Sequence, residues 1–130
     1  MKNELNIAIN AAKEAGKIIL KYYNSDYVIK EKGIGNPVTT ADEAADDYLK
    51  KTLTNSFPGY GWLSEETIDS TGRLSKSRIW IVDPIDGTKE FINGTDEFVV
   101  SVGLAEEGSP VLGVIYNPVK EEIFYASKGE

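Results

Sequence analysis

The run Phe98-Val-Val-Ser-Val-Gly-Leu104, Glu106-Glu-Gly-Ser-Pro110, Val111-Leu-Gly-Val-Ile-Tyr116, Asn117-Pro-Val-Lys120 and Ile123-Phe-Tyr-Ala126 sets the architecture. In its first segment Phe98, Val100, Val102 and Leu104 fall on one side and Val99, Ser101 and Gly103 on the other. That period of two marks a strand with two distinct faces. Turn residues around Gly108-Ser109-Pro110 and Asn117-Pro118 divide the rest, so the spacing predicts a three-stranded antiparallel meander. After Ala126 only Ser127 to Glu130 follow, which leaves the last strand's edge without a covering element. Either another element of the same sheet covers that edge, or something that would cover it is missing.

Upstream, the period changes to that of a helix. Leu5, Ala8, Ile9, Ala12, Ala15, Ile19, Tyr22 and Tyr23 follow the i, i+3, i+4 spacing of an amphipathic helix from Glu4 to Tyr23, ended by Asn24 and Ser25. Tyr27 to Lys32 suits a short strand, and Gly33, Gly35 and Pro37 suit a loop. Thr40-Ala-Asp-Glu43 reads as a capping box opening a second helix, with Ala41, Ala44, Ala45, Tyr48, Leu49 and Leu53 on one side and an end near Phe57. Tyr60 to Ser64 and Arg78 to Val82 read as strands joined by a loop over Asp69 to Ser77. Two helices followed by mostly antiparallel strands predict an α+β fold, helices packed on one face of a sheet.

A length of 130 residues suits one domain that buries about two-thirds of its unfolded surface. The chain contains no histidine and no cysteine. Ser-His-Asp and Cys-His catalysis, zinc or iron held by histidine, iron–sulfur clusters and disulfides are therefore excluded. Whatever chemistry the chain performs is left to carboxylates, hydroxyls, amines and backbone dipoles, with a hard metal as one further option. A net charge of −7 without any basic cluster argues against a nucleic-acid polymer as partner. A phosphorylated small molecule stays compatible, because divalent cations reverse the local sign. No apolar run approaches the roughly 18 residues of a membrane span, and Lys2 and Glu4 interrupt the start, so a soluble cytoplasmic protein is expected.

The densest chemical signal is Trp80-Ile-Val-Asp83-Pro-Ile-Asp86-Gly-Thr88-Lys89-Glu90-Phe91. Carboxylates at a strand's carboxyl end project beyond the sheet, Pro84 stiffens the exit, and Gly87 lets the backbone approach a ligand. A short helix from Thr88 to Asn93, closed by Gly94, would place free amides beside those carboxylates. Carboxylates for a cation next to amides for an anion are what a metal-bridged phosphate requires. Alone, this segment also reads as an ordinary turn. Two further groups add weight: Ser64-Glu65-Glu66 after an apolar strand and Val38-Thr39-Thr40-Ala41-Asp42 at a helix start, although Asp42 also complements a helix dipole and Glu65-Glu66 also suits a solvated loop.

Thr39-Thr40-Ala-Asp42, Ser64-Glu65-Glu66 and Trp80-Ile-Val-Asp83-Pro-Ile-Asp86-Gly-Thr88, in that order, resemble the inositol monophosphatase-like family of lithium-sensitive, magnesium-dependent phosphomonoesterases. Lys89-Glu90-Phe91 is similar to the branch of 3'(2'),5'-bisphosphate nucleotidases, where a lysine follows the threonine; inositol monophosphatases usually have a second hydroxyl residue there. The resemblance implies the amino-terminal half of a layered αβαβα sugar-phosphatase fold, with two long helices on a largely antiparallel sheet. It makes residues 1–130 a metal-binding domain. The carboxy-terminal domain, whose Trp-Asp-x-x-Ala-Gly motif completes the second metal site, would lie outside this chain. Glu65, Asp83 and the carbonyl of Ile85 would hold one Mg²⁺, Asp83 and Asp86 a second, and Glu65 a third through water. Thr88, oriented by Asp42, would position the attacking water, and the amides of Gly87 and Thr88, with Lys89 nearby, would bind substrate.

Three functions are open at this point. The first is hydrolysis of a phosphate monoester such as 3'-phosphoadenosine 5'-phosphate, or of an inositol phosphate, by water activated by Mg²⁺. The second is a non-catalytic metal-binding or interaction module that self-associates through its open sheet edge. The third, a haloacid-dehalogenase-like nucleophile loop, needs aspartates two apart. Asp83 and Asp86 are three apart with Pro84 between them, which disfavours it.

Overall fold

The computed structural model describes residues 1–66 and 71–129. Helix α1 spans Lys2–Tyr22 and α2 spans Thr40–Ser56. Strands β1, Ile29–Gly33, and β2, Asn36–Thr39, form a hairpin between them. The sheet is built from β3, Gly61–Ser64, β4, Arg78–Asp86, β5, Val99–Glu106, β6, Ser109–Asn117, and β7, Glu122–Ser127. A short 3₁₀ helix, Thr71–Ser75, precedes β4, and the short helix α3, Thr88–Ile92, follows it. The expected loop over 69–77 is thus partly helical, while Asp69 and Ser70, like Glu130, lie outside the described residues.

The fold is α+β, as the periodicities predict. Strand order is β3-β4-β5-β6-β7, antiparallel except for the parallel pair β3–β4. The meander holds with the expected alternation: Val100, Val102 and Leu104 are buried, and they register with Tyr116, Val114 and Leu112 on β6. α1 packs on β5 and β6, and α2 packs on β3 and β4, so both helices cover one face. At Gly16 of α1 an added Cβ would lie 2.7 Å from the Tyr116 ring, which explains how closely the helix sits on β6. Trp80, Phe91 and Phe98 are fully buried in the core between the layers. Each aromatic of that kind removes about 150–250 Å² from water, on the order of 4–6 kcal/mol of hydrophobic stabilisation. Ile81, Ile115 and Phe124 alternate to the other face and remain exposed. β7 is an edge strand paired with β6.

Two local expectations are corrected. The N-cap of α2 is Thr39, not Thr40, and its box partner is Asp42, not Glu43. Asp42 Oδ2 accepts from Thr39 N at 2.7 Å, and this fixes the register of the helix start. The expected loop at 33–37 is instead a tight turn between β1 and β2, in which Pro37 sits in a strand of a two-stranded ribbon. At the sheet end remote from α3's N-terminus, Arg78 donates to Glu4 Oε2 at 2.8 Å, Tyr60 OH at 2.9 Å and Glu106 Oε2 at 2.7 Å. That cluster ties the first turn of α1 to β4 and β5.

Candidate active site

Because β3 and β4 run parallel, the segments leaving their carboxyl ends must emerge side by side. Glu65 N donates to Val82 O at 3.3 Å, extending the pairing one residue beyond β3 and setting Glu65 next to Asp83. On β4 the pairing with β5 runs from Asp83↔Ser101 to Asp86↔Val99. Three steps on one strand therefore match two on the other. The extra residue is a bulge at Pro84-Ile85, where proline has no N–H to lose. Strict alternation would send Asp83 and Asp86 to opposite faces. The bulge instead lets both line one open cavity of about 280 Å³, with Glu65, Glu66, Ile85, Gly87, Thr88, Lys89 and Lys32 also on its wall.

Gly87 lies at φ 107°, and a Cβ there would stand 2.9 Å from Glu97 O. Glycine is the residue that suits both demands. It starts α3, whose first internal bond runs from Phe91 N to Gly87 O at 2.9 Å, so the amides of Thr88, Lys89 and Glu90 precede any partner within the helix.

Asp42 does not line the cavity. It is fully buried behind it and reaches it through Thr88, whose Oγ1 donates to Asp42 Oδ1 at 2.9 Å. Oδ2 accepts from Thr39 Oγ1 at 2.6 Å as well as from Thr39 N. Both oxygens of this buried carboxylate are thus satisfied, as burial requires. Ile85 O lies 3.3 Å from Thr88 Oγ1, a longer alternative acceptor. The Thr88 hydroxyl has one proton, and with that proton directed at Asp42 its lone pairs are left to accept.

The electrostatics of the wall are unbalanced. Partial burial pushes the Asp83 carboxyl up to about 6, and repulsion from Asp86, Glu65, Glu66 and Asp42 adds to it. Burial also raises Glu66, with Asp42 and Asp46 contributing, against the opposing pull of Lys32. Lys32 Nζ donates to Glu66 Oε1 at 2.7 Å and to Glu65 O at 3.3 Å. Its partial desolvation is outweighed by those acidic neighbours, so its ammonium is held above the usual lysine range. Among the described residues, no three acidic side chains form a ready-made metal cage. They face a shared space instead, as mutually repelling groups do. An all-oxygen donor set with one carboxylate held near 6 by burial and by its acidic neighbours fits a hard divalent cation.

The structure brings Glu65, Asp83, Ile85, Asp86, Gly87, Thr88 and Lys89 to one cavity and joins Asp42 to them through Thr88. Lys32 is a member that pattern reading misses: it arrives from the β1–β2 hairpin, and only the glycine-flanked turn after it marks the spot.

Comparison with known proteins identifies the family and the fold. The model of the inositol monophosphatase family matches residues 1–130. Inositol monophosphatase 3 of Solanum lycopersicum is 38% identical over 128 residues, which are 97% of this chain and 48% of that protein. Among solved structures, the extragenic suppressor protein suhB of Bartonella henselae superposes with a TM-score of 0.91 at 35% identity, over 96% of this chain and 49% of that one. CysQ of Bacteroides thetaiotaomicron, a bacterial member of the inositol monophosphatase family, gives 0.81 at 38% identity, over 98% and 46%. The chain spans about half the length of the curated relatives it matches.

Proposed function

The chain belongs to the inositol monophosphatase family, and from that membership together with the site we propose that it contributes to Mg²⁺-dependent hydrolysis of phosphate monoesters. The observation that carries this reading is the Asp42–Thr88 hydrogen bond at the back of a carboxylate-lined cavity. In this reading Glu65, Asp83, the carbonyl of Ile85 and Asp86 supply oxygens for two or three ions. Bound Mg²⁺ would neutralise those carboxylates and polarise the phosphoryl group.

The protein's own part is positioning and proton handling. Thr88 Oγ1, its proton directed at Asp42, presents a lone pair that accepts a hydrogen bond from the attacking water and so orients it. Asp42, fixed by Thr39, keeps that hydroxyl oriented. The amides of Gly87 and Thr88 face the phosphate oxygens, and the bulge at Pro84-Ile85 keeps the two aspartates on one wall. The chain would act as the metal-binding, amino-terminal half of a soluble cytoplasmic enzyme, with the second half of the relatives' length supplying the remaining ligand and much of the substrate pocket.

For substrate, Lys89 on the cavity wall supports a second phosphate on the ligand, hence a nucleoside bisphosphate such as 3'-phosphoadenosine 5'-phosphate. An inositol phosphate is the second reading, supported by the tomato inositol monophosphatase 3. Phosphate release from the two substrates in Mg²⁺ separates them. A preference for the bisphosphate that Lys89→Ser reduces supports the first, and a preference for the inositol phosphate that Lys89→Ser leaves intact supports the second. A non-catalytic module pairing through β7 would instead show concentration-dependent self-association and no phosphate release.

A further inference from the structure

α2 buries two carboxylates one turn apart, Asp42 and Asp46. Asp42 has its place in the account above, but Asp46 does not line the cavity. A carboxylate buried in a helix interior costs several kcal/mol unless hydrogen bonds compensate it, so its partners indicate what it does. Asp46 Oδ1 accepts from the hydroxyl of Ser64, the buried last residue of β3. Ser64 Oγ in turn accepts from the backbone N–H of Glu66 at 3.2 Å. A serine hydroxyl turns freely when unheld. Giving its proton to Asp46 fixes the rotor and aims a lone pair at the Glu66 amide.

The consequence falls on Glu65, which lies between the two ends of this link. Its own N–H is held by Val82 O at 3.3 Å, its carbonyl by Lys32 at 3.3 Å, and the next amide by Ser64. With the backbone fixed on three sides, the Cα–Cβ bond of Glu65 is set at the cavity this residue lines, and its carboxylate starts from that fixed point. We propose that Asp46, acting through Ser64, is a positioning residue that sets Glu65 for the cation. This rests on the reading of the cavity as a divalent-metal site. Partners one shell beyond the ligands typically change metal affinity by 10–100-fold when removed.

The test uses the full chain and Mn²⁺ alone, with free Mn²⁺ followed by electron paramagnetic resonance and Glu66 amide exchange by NMR. Ser64→Ala and Asp46→Ala are expected to weaken Mn²⁺ binding about tenfold and to speed Glu66 exchange. Ser64→Thr and Asp46→Asn, which keep the hydroxyl and the acceptor, are expected to stay within about twofold of the unmodified chain. A link that only fastens α2 to β3 would lower thermal stability and leave Mn²⁺ affinity alone, and that result would overturn the proposal. Asp83→Ala separates the two levels. Loss of binding there with unchanged affinity in Ser64→Ala refutes the positioning role alone, whereas unchanged binding in Asp83→Ala refutes the reading of the cavity and this inference with it. Ser64→Ala removes only one oxygen and carries the test if Asp46→Ala does not fold.

Discussion

Replacing Asp83 by asparagine should stabilise the chain without metal and destabilise it, relative to the unmodified chain, with metal. In the folded chain the Asp83 carboxyl is raised from 3.8 to about 6. Between those values the folded chain keeps a proton that the unfolded chain has released, so stability falls as pH rises through that window and the penalty is complete above it. A shift of that size would correspond to about 3 kcal/mol for a fully desolvated group. Asp83 is half-buried, and solvent screening reduces the expected penalty to about 1 kcal/mol. Asparagine is close to isosteric and has no charge to repel. Thermal unfolding in EDTA should therefore show Asp83→Asn ahead by about 1 kcal/mol, or about 4 °C, at pH 7.5. The difference should vanish near pH 4, where the carboxyl is protonated. With Mg²⁺ at about 100 times its dissociation constant, the unmodified chain should gain about 2.7 kcal/mol and Asp83→Asn little, reversing the order. A variant less stable than the unmodified chain in EDTA at pH 7.5 would refute the claim that burial, together with repulsion from the neighbouring carboxylates, disfavours the ionised Asp83.

Three other substitutions probe separate parts of the account. Thr88→Ala should lower Mg²⁺-dependent phosphate release by about a hundredfold or more with little loss of stability, and Thr88→Ser, which keeps the hydroxyl, should recover most of it. Gly87→Ala forces a side chain onto Glu97 O at φ 107° and should cost about 2 kcal/mol in denaturant unfolding, together with phosphate release. Arg78→Met strands Glu4 and Tyr60 at the far end of the sheet; it should cost about 2 kcal/mol while leaving Mn²⁺ affinity unchanged.

The parts of this molecule governed by local periodicity were legible in its sequence. The alternation from Phe98 to Leu104 and the spacing from Leu5 to Ile19 mark the buried faces of β5 and α1, because burial on one side of a strand or helix leaves a direct trace in the pattern, although Ala11 and Gly16 join the α1 face and Ile9 is only half-buried. The start of α2 is ambiguous by one residue because Thr39 and Thr40 are both good caps, and only the reach of Asp42 back to Thr39 N decides between them. The β4 bulge is marked by Pro84, yet which residue a bulge displaces depends on the neighbouring strand. The candidate ligands were recognisable because they cluster in short motifs at element ends. Lys32 with Glu66 and Ser64 with Asp46 were not, since their partners lie 34 and 18 residues away and are brought together only by the packing of hairpin, helix and sheet.

The central proposal is that this cavity contributes to Mg²⁺-dependent hydrolysis of phosphate monoesters, with Glu65, Asp83 and Asp86 among the groups that would hold the metal. Its most direct test is inorganic phosphate released from 3'-phosphoadenosine 5'-phosphate or inositol 1-phosphate by the purified chain, with Mg²⁺ and with EDTA, beside Asp83→Ala. The account predicts release that requires Mg²⁺ and disappears in Asp83→Ala. Release that persists in EDTA, or no release above the Asp83→Ala background, would contradict it.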